Sequence, residues 1–135
     1  NALRADYVAG HLQTVAELIH ADVFSDFLDM ANYLYLEGYK DASAVICGSV
    51  LDGHLRKLCE KLSIPHSERA KPKKTDTLNA ELASKRAYSK LDQKNITAWL
   101  GLRNHAAHGQ YDKYTKDQVG LFLQGVRDFL ARHPA

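Results

Sequence analysis

Chemistry in this chain is concentrated between residues 103 and 109, where the sequence runs Arg-Asn-His-Ala-Ala-His-Gly. An imidazole titrates near neutrality and can give or take a proton there. A guanidinium keeps its charge and can grip two phosphate oxygens at once. Arg103 and His108, with Asn104 and His105 between them, are thus equipped for acid–base chemistry at a phosphate. His108 is the candidate base or acid, and Arg103 would stabilise the developing phosphorane charge. Asn104 would orient His108 or a phosphate, and His105 would take a secondary part. On a continuous helix Arg103 and His108 lie about 140° apart. Asn104, four residues before His108, and His105, three before it, share its side of the helix. The spacing therefore predicts that Asn104, His105 and His108 converge while Arg103 points away.

These residues need helices to hold them, and the apolar pattern is helical almost throughout. Val8, Leu12, Val15 and Ile19 recur at helical spacing, as do Val23, Phe27, Ala31 and Leu34 up to Gly38, in one bent helix or two. The strongest pattern runs from Asp41 to Leu62 through Ala44, Gly48, Leu51, Leu55 and Leu58, widened by Val45, Ile46 and Val50. Gly48, Ser49 and Gly53 weaken this central helix and so should admit another helix close against it. Residues 63–76 read as a basic loop with two prolines. A short helix follows, with Asp76 or Thr77 as its cap. Ser89 with Asp92 opens the helix that carries Ile96, Trp99, Leu100 and Arg103 and should end at Gly109, so the reactive residues form its last turn. Thr115 with Gln118 is a capping-box pattern for a final helix with Val119, Phe122, Leu123, Val126 and Leu130 inward. Five or six such helices imply an all-α compact bundle, a single domain over residues 1–135.

With 45% hydrophobic and 25% charged residues, the composition excludes a disordered chain. No apolar run approaches the roughly 20 residues of a membrane span, and no basic-then-apolar leader is present, so a cytoplasmic setting is expected. The chain begins at Asn1 rather than Met, as a piece of a longer protein would. Cys47 and Cys59, 12 positions apart on one helix, cannot pair with each other and should be buried free thiols. Residues 1–62 carry 5 Lys/Arg against 9 Asp/Glu, whereas residues 63–135 carry 13 against 7. Either the two halves face each other or the basic half faces an anionic partner.

The segment Arg103-Asn104-His105-Ala106-Ala107-His108 resembles the HEPN domain family, whose signature is an Arg and a His separated by four to six residues. The long helix "DASAVICGSVLDGHLRKLCEKL" before a loop, and a motif helix before the last helix, are similar to the layout of many bacterial members. The resemblance in layout spans about residues 25–132. It implies a metal-independent endoribonuclease that needs no cofactor and acts as a homodimer, the two motifs lining one cleft. Such domains serve as toxin or phage-defence effectors, so a regulatory antitoxin or a fused sensor domain is a further expected partner. A two-fold axis would also bring together an arginine and a histidine that diverge within one chain. If the ribose 2′-hydroxyl is the nucleophile, a 2′,3′-cyclic phosphate should form and DNA should resist.

Other residues are placed around this reading. Asp52 on the central helix would pair with Arg103, fix a histidine tautomer, or serve as a structural ion-pair partner. Arg69, Lys71, Lys73 and Lys74 would track RNA phosphates or simply solvate a connection. Tyr111 and Tyr114 would stack on bases or pack internally. Trp99 reads as core or interface. His105 and His108 with His54 or a cysteine would be a zinc alternative, though no second ligand pair stands at a recognisable spacing. His11, His20, His66 and His133 read as surface residues. The competing readings of the whole motif are a plain helix C-terminus and a catalytically silent module that dimerises and binds nucleic acid or nucleotide.

Overall fold

The computed structural model describes the backbone from Ala2 to Ala135 and the side chains from Val15 onward. Five helices follow in order: α1 (Ala2–Leu36), α2 (Lys40–Lys61), α3 (Thr75–Ser84), α4 (Lys90–Ala107) and α5 (Lys116–Arg132). The all-α expectation holds. Helix α2 is the centre of the bundle and packs against all four others. Its Cys47, Leu51, Leu55 and Cys59 are fully buried, facing Ile96 and Leu100 of α4 and Val119, Phe122, Val126 and Phe129 of α5 within one core. Each large side chain buried there contributes about 1.5–3 kcal/mol relative to exposure. Cys47 and Cys59 are both free.

Local signals end the helices where expected. Gly38 has φ +93° and follows α1, with Tyr39 N–H donating to Leu34 C=O at 2.8 Å and Gly38 N–H to Tyr35 C=O at 3.1 Å. These two bonds make a Schellman ending, which satisfies carbonyls that the helix leaves open. Ser89 Oγ accepts from the Asp92 N–H at 3.1 Å, and the Thr115–Gln118 capping box is complete. Asp92 also receives Arg132 at 2.8 Å, tying the start of α4 to the end of α5.

Three expectations are corrected. The first segment is one helix, uninterrupted by Pro and without Gly between 11 and 37, but of the described part of the expected stripe only Ala31 is buried and Leu34 half-buried, and the inward face is shifted around the helix. Leu28 and Ala31 are buried and Phe24 and Tyr35 partly so, whereas Val15, Ile19, Val23 and Phe27 are exposed by 38–60%. Val8 and Leu12 lie outside the described side chains. Room decides the phase: Phe24 fits over Gly53, where a Cβ would meet its Cζ at 2.6 Å, and Tyr35 fits over Gly120. Next, residues 63–76 contain a two-stranded hairpin, β1 (Ser67–Glu68) with β2 (Lys71–Pro72). Arg56 holds its base, donating to the carbonyls of His66 at 3.3 Å and Lys73 at 2.8 Å. Finally, α3 starts at Thr75, two residues before Thr77 and one before Asp76. No side chain caps it, and Thr75 instead donates its hydroxyl to Asp52.

Candidate functional site

The last turn of α4 ends in a second Schellman arrangement. Gln110 N–H donates to His105 C=O at 2.8 Å and Gly109 N–H to Ala106 C=O at 3.3 Å, with Gly109 at φ +72°. This leaves His108 as the C-cap, at the point where the chain leaves the helix. Its Nδ1 lies 2.7 Å from the carbonyl oxygen of Asn104. A carbonyl only accepts, so Nδ1 carries the proton and, in the neutral ring, the lone pair is on Nε2. His108 is exposed, and Nε2 has no hydrogen-bond partner among the described residues.

Asn104 also reaches the arginine. Its side-chain oxygen accepts from Arg103 Nε at 3.1 Å. One asparagine thus links the two motif residues, through its amide to Arg103 and through its backbone to His108. The two terminal nitrogens of Arg103 have no partner among the described residues, so the outer fork of the guanidinium faces outward unpaired. Below it, the arginine stem lies directly on α2: a Cβ at Gly48 would stand 2.0 Å from Arg103 Cγ and 2.9 Å from its Cβ. Gly48 is therefore what admits the motif arginine. The sequence showed that small residues here allow close approach, but not which side chain approaches.

His105 goes elsewhere than expected. Its Nδ1 lies 2.7 Å from Gln110 Oε1, and it lines a hollow of about 370 Å³ with Trp99, Leu102, Tyr114 and Leu121. It does not meet His108, because the Schellman turn carries Gln110 back beneath it. Gln110 is a site residue that sequence reasoning missed, and only the reversal after Gly109 marks it. Trp99 packs on Gly125 and Phe122, and so belongs to the core.

Asp52 is one turn beyond Gly48 on α2, yet its carboxylate is taken by Arg56 at 3.1 Å and by the Thr75 hydroxyl. It makes no bond to Arg103 and acts structurally. Lys73 pairs with Glu81 at 3.0 Å. Arg69, Lys71 and Lys74 are exposed, Arg69 at the hairpin tip with φ +52°. Arg56, which anchors the base of this hairpin, is eight residues past Gly48, about 12 Å along α2.

The two tyrosines separate as well. Tyr114 is 5% exposed, donates its hydroxyl to Asp41 and lies under Lys40 Nζ at 4.0 Å, so its ring is not open to a base. Burial and the Asp41 carboxylate push its phenol up. Burial alone would raise Asp41, but the hydrogen bonds from Tyr114 and Lys40 outweigh it and hold that carboxyl low. Tyr111, in the 3-10 turn Tyr111–Lys113, is exposed, and its carbonyl accepts from Lys40 Nζ at 2.7 Å.

His54 is remote from the motif: it is 2% exposed, turned toward α1 and α5, and bonded to His20 at 2.8 Å. That rules out the His54–His105–His108 zinc arrangement, and no group of three metal-ligating side chains is gathered among the described residues. His20 is likewise half-buried against His54 rather than a surface residue. His11 lies outside the described side chains. No described helix is long and apolar enough to cross a membrane.

The site is thus the exposed end of a helix in an all-α bundle, offering an outward guanidinium fork and an imidazole of set tautomer joined by one asparagine. No family model, curated protein or solved structure matches the chain.

Proposed function

We propose that this chain is a HEPN-like, metal-independent endoribonuclease domain that works as a homodimer. The observation that carries the reading is the Asn104 bridge, which holds Arg103 Nε at 3.1 Å and His108 Nδ1 at 2.7 Å. It leaves His108 Nε2 to accept a proton and the Arg103 fork to hold phosphate oxygens. In the step so assigned, His108 Nε2 takes the proton of the ribose 2′-hydroxyl as that oxygen attacks phosphorus. Arg103 offsets the charge on the non-bridging oxygens, and the bond to the 5′-oxygen breaks. The leaving oxygen needs a proton, and one His108 cannot hold a lone pair and an acid proton at once. A protonated His108 of a second copy supplies it, which is why the functional unit is a dimer. The products are a 2′,3′-cyclic phosphate and a 5′-hydroxyl. The toxin or phage-defence role, and restraint by an antitoxin or a fused sensor domain, extend the same family resemblance.

The test is incubation of single-stranded RNA in chelator with the wild type, Arg103→Ala and His108→Ala. Cleavage should fall by about 10²–10⁴-fold in each variant, with the dimer intact and DNA uncut. Equal cleavage by all three proteins would sink the assignment. The exposed Arg69, Lys71 and Lys74 favour a second reading, a silent RNA-binding module. Salt-dependent binding without turnover, weakened by neutralising those three residues, would select it.

A further inference from the structure

A second feature of the molecule lies at the other end of α5, unconnected with the motif. Between α1, α5 and the chain end is a cavity of about 450 Å³, within the range of small-molecule sites. Its apolar wall is built from Leu18, Ala21, Leu28, Leu130, Ala131 and Pro134, and its polar wall includes His20 and His54. From Lys116, where α5 begins near the motif, to Arg127 at the cavity is about 16 Å of helix. Ligand binding here is therefore separable from the chemistry assigned to Arg103 and His108.

The charges around this cavity are already matched. Glu17 is paired with Lys61 at 2.8 Å, and Arg127 with Asp29 at 2.8 Å. The two histidines are held neutral. Burial lowers His54 to about 4, against the opposing pull of the His133 carbonyl. Burial, then the charge of Lys57, lowers His20. A charged guest would have to break one of these pairs or protonate a disfavoured imidazole, so an uncharged one is selected.

The hydrogen bonds fix what polar group it should carry. His54 Nε2 lies 2.7 Å from the His133 carbonyl oxygen, so that nitrogen carries the proton and donates. His54 Nδ1 is then an acceptor, and the 2.8 Å contact requires the proton on His20 Nε2. The remaining lone pair is on His20 Nδ1, for which no partner exists among the described residues. The ring cannot easily turn to hide it, being tied edge to edge to His54 by that bond, with the two rings 18° from coplanar and 5.0 Å between centres, and set edge-on to Phe24 at 4.2 Å. We infer that this cavity binds an uncharged, mainly apolar small molecule bearing one hydroxyl or N–H group, which donates to His20 Nδ1.

Phenol and indole are the probes, with toluene as a control of similar shape and no donor. In an amide and imidazole NMR titration of the full chain, phenol and indole should shift the signals of Ala21, Leu28, Leu130 and Ala131. They should also move the His20 Nδ1 nitrogen toward its hydrogen-bonded position. Toluene should bind about tenfold more weakly, the worth of one hydrogen bond. Ala131→Trp, which fills the cavity, should abolish all three, and His20→Phe should remove the preference over toluene. Should Ala131→Trp fail to fold, the wild-type His20 nitrogen shift still decides the matter. No localised shifts up to the solubility limit, or toluene binding as tightly as phenol, overturns the inference.

Discussion

The two ends of the bundle use histidine in opposite ways. At the end of α4, His108 is exposed at a helix C-cap, with one nitrogen tied to Asn104 and the other open. Across the core, His54 is 2% exposed, and both its nitrogens are engaged, by His20 and by the His133 carbonyl. The first leaves a ring nitrogen open to a ligand, and the second cannot engage one without breaking the core. Residue type offers the chemistry, while burial and the number of satisfied atoms decide whether it is used.

The contrast can be broken most forcefully by substitution. His108→Ala and Arg103→Ala should cost about 10²–10⁴-fold in RNA cleavage. The exposed His108 should shift the unfolding midpoint by little, and Arg103→Ala, which strips the stem packed on Gly48, should cost about 1 kcal/mol. His54→Ala should do the reverse. It opens a core cavity and leaves His20 without its acceptor, for a loss of about 2–4 kcal/mol in denaturant unfolding, with cleavage by the folded fraction unchanged.

Acid should separate the ends next. The pKa of His54 falls from 6.5 in the unfolded chain to about 4 in the folded one. Between those values the unfolded chain binds more protons, so stability rises with pH across that window. The stabilisation is complete above pH 6.5, is lost progressively as pH falls toward 4, and amounts to roughly 3 kcal/mol. Denaturant titrations at a series of pH values should show this slope, and His54→Gln should flatten it.

Glycine substitutions sharpen the comparison further. A Cβ at Gly48 strikes the stem of Arg103 at 2.0 Å, and a Cβ at Gly53 strikes the tip of Phe24 at 2.6 Å. Each should cost about 1–3 kcal/mol from overpacking. Only Gly48→Ala should also lower the cleavage rate per folded molecule, because only there does the displaced side chain belong to the motif. The smallest effect belongs to Thr115→Ala, which removes the capping box of α5 near the motif. It should cost about 1 kcal/mol of stability and leave the rate alone.

Much of this was legible because it is local. Gly38 and Gly109 end helices as anticipated, and Ser89 and Thr115 begin them, because capping is decided within four or five consecutive residues. The heptad-like steps Cys47, Leu51, His54 and Leu58 already placed His54 on the buried face of α2, a signal passed over because the residue is polar. Asp52 and Tyr114 illustrate the opposite case. Their partners, Thr75 and Asp41, are 23 and 73 residues away, and nothing in the local pattern names them.

By itself the sequence determined the helical class, the helix ends marked by Gly38, Ser89, Gly109 and Thr115, the small residues of α2 and the placement of Arg103, Asn104 and His108 at the end of one helix. Only the tertiary structure decided which stripe of α1 turns inward, since that helix is apolar on several sides and Gly53 and Gly120 select the face that fits. It likewise decided that Arg103 lies on Gly48, that His105 turns to Gln110, and that His20 and His54 share one proton-donating bond. The physical reason is the same each time. A cap or a periodicity is settled by neighbours along the chain, whereas a close contact exists only where another segment leaves room of the right shape and a polar atom to satisfy.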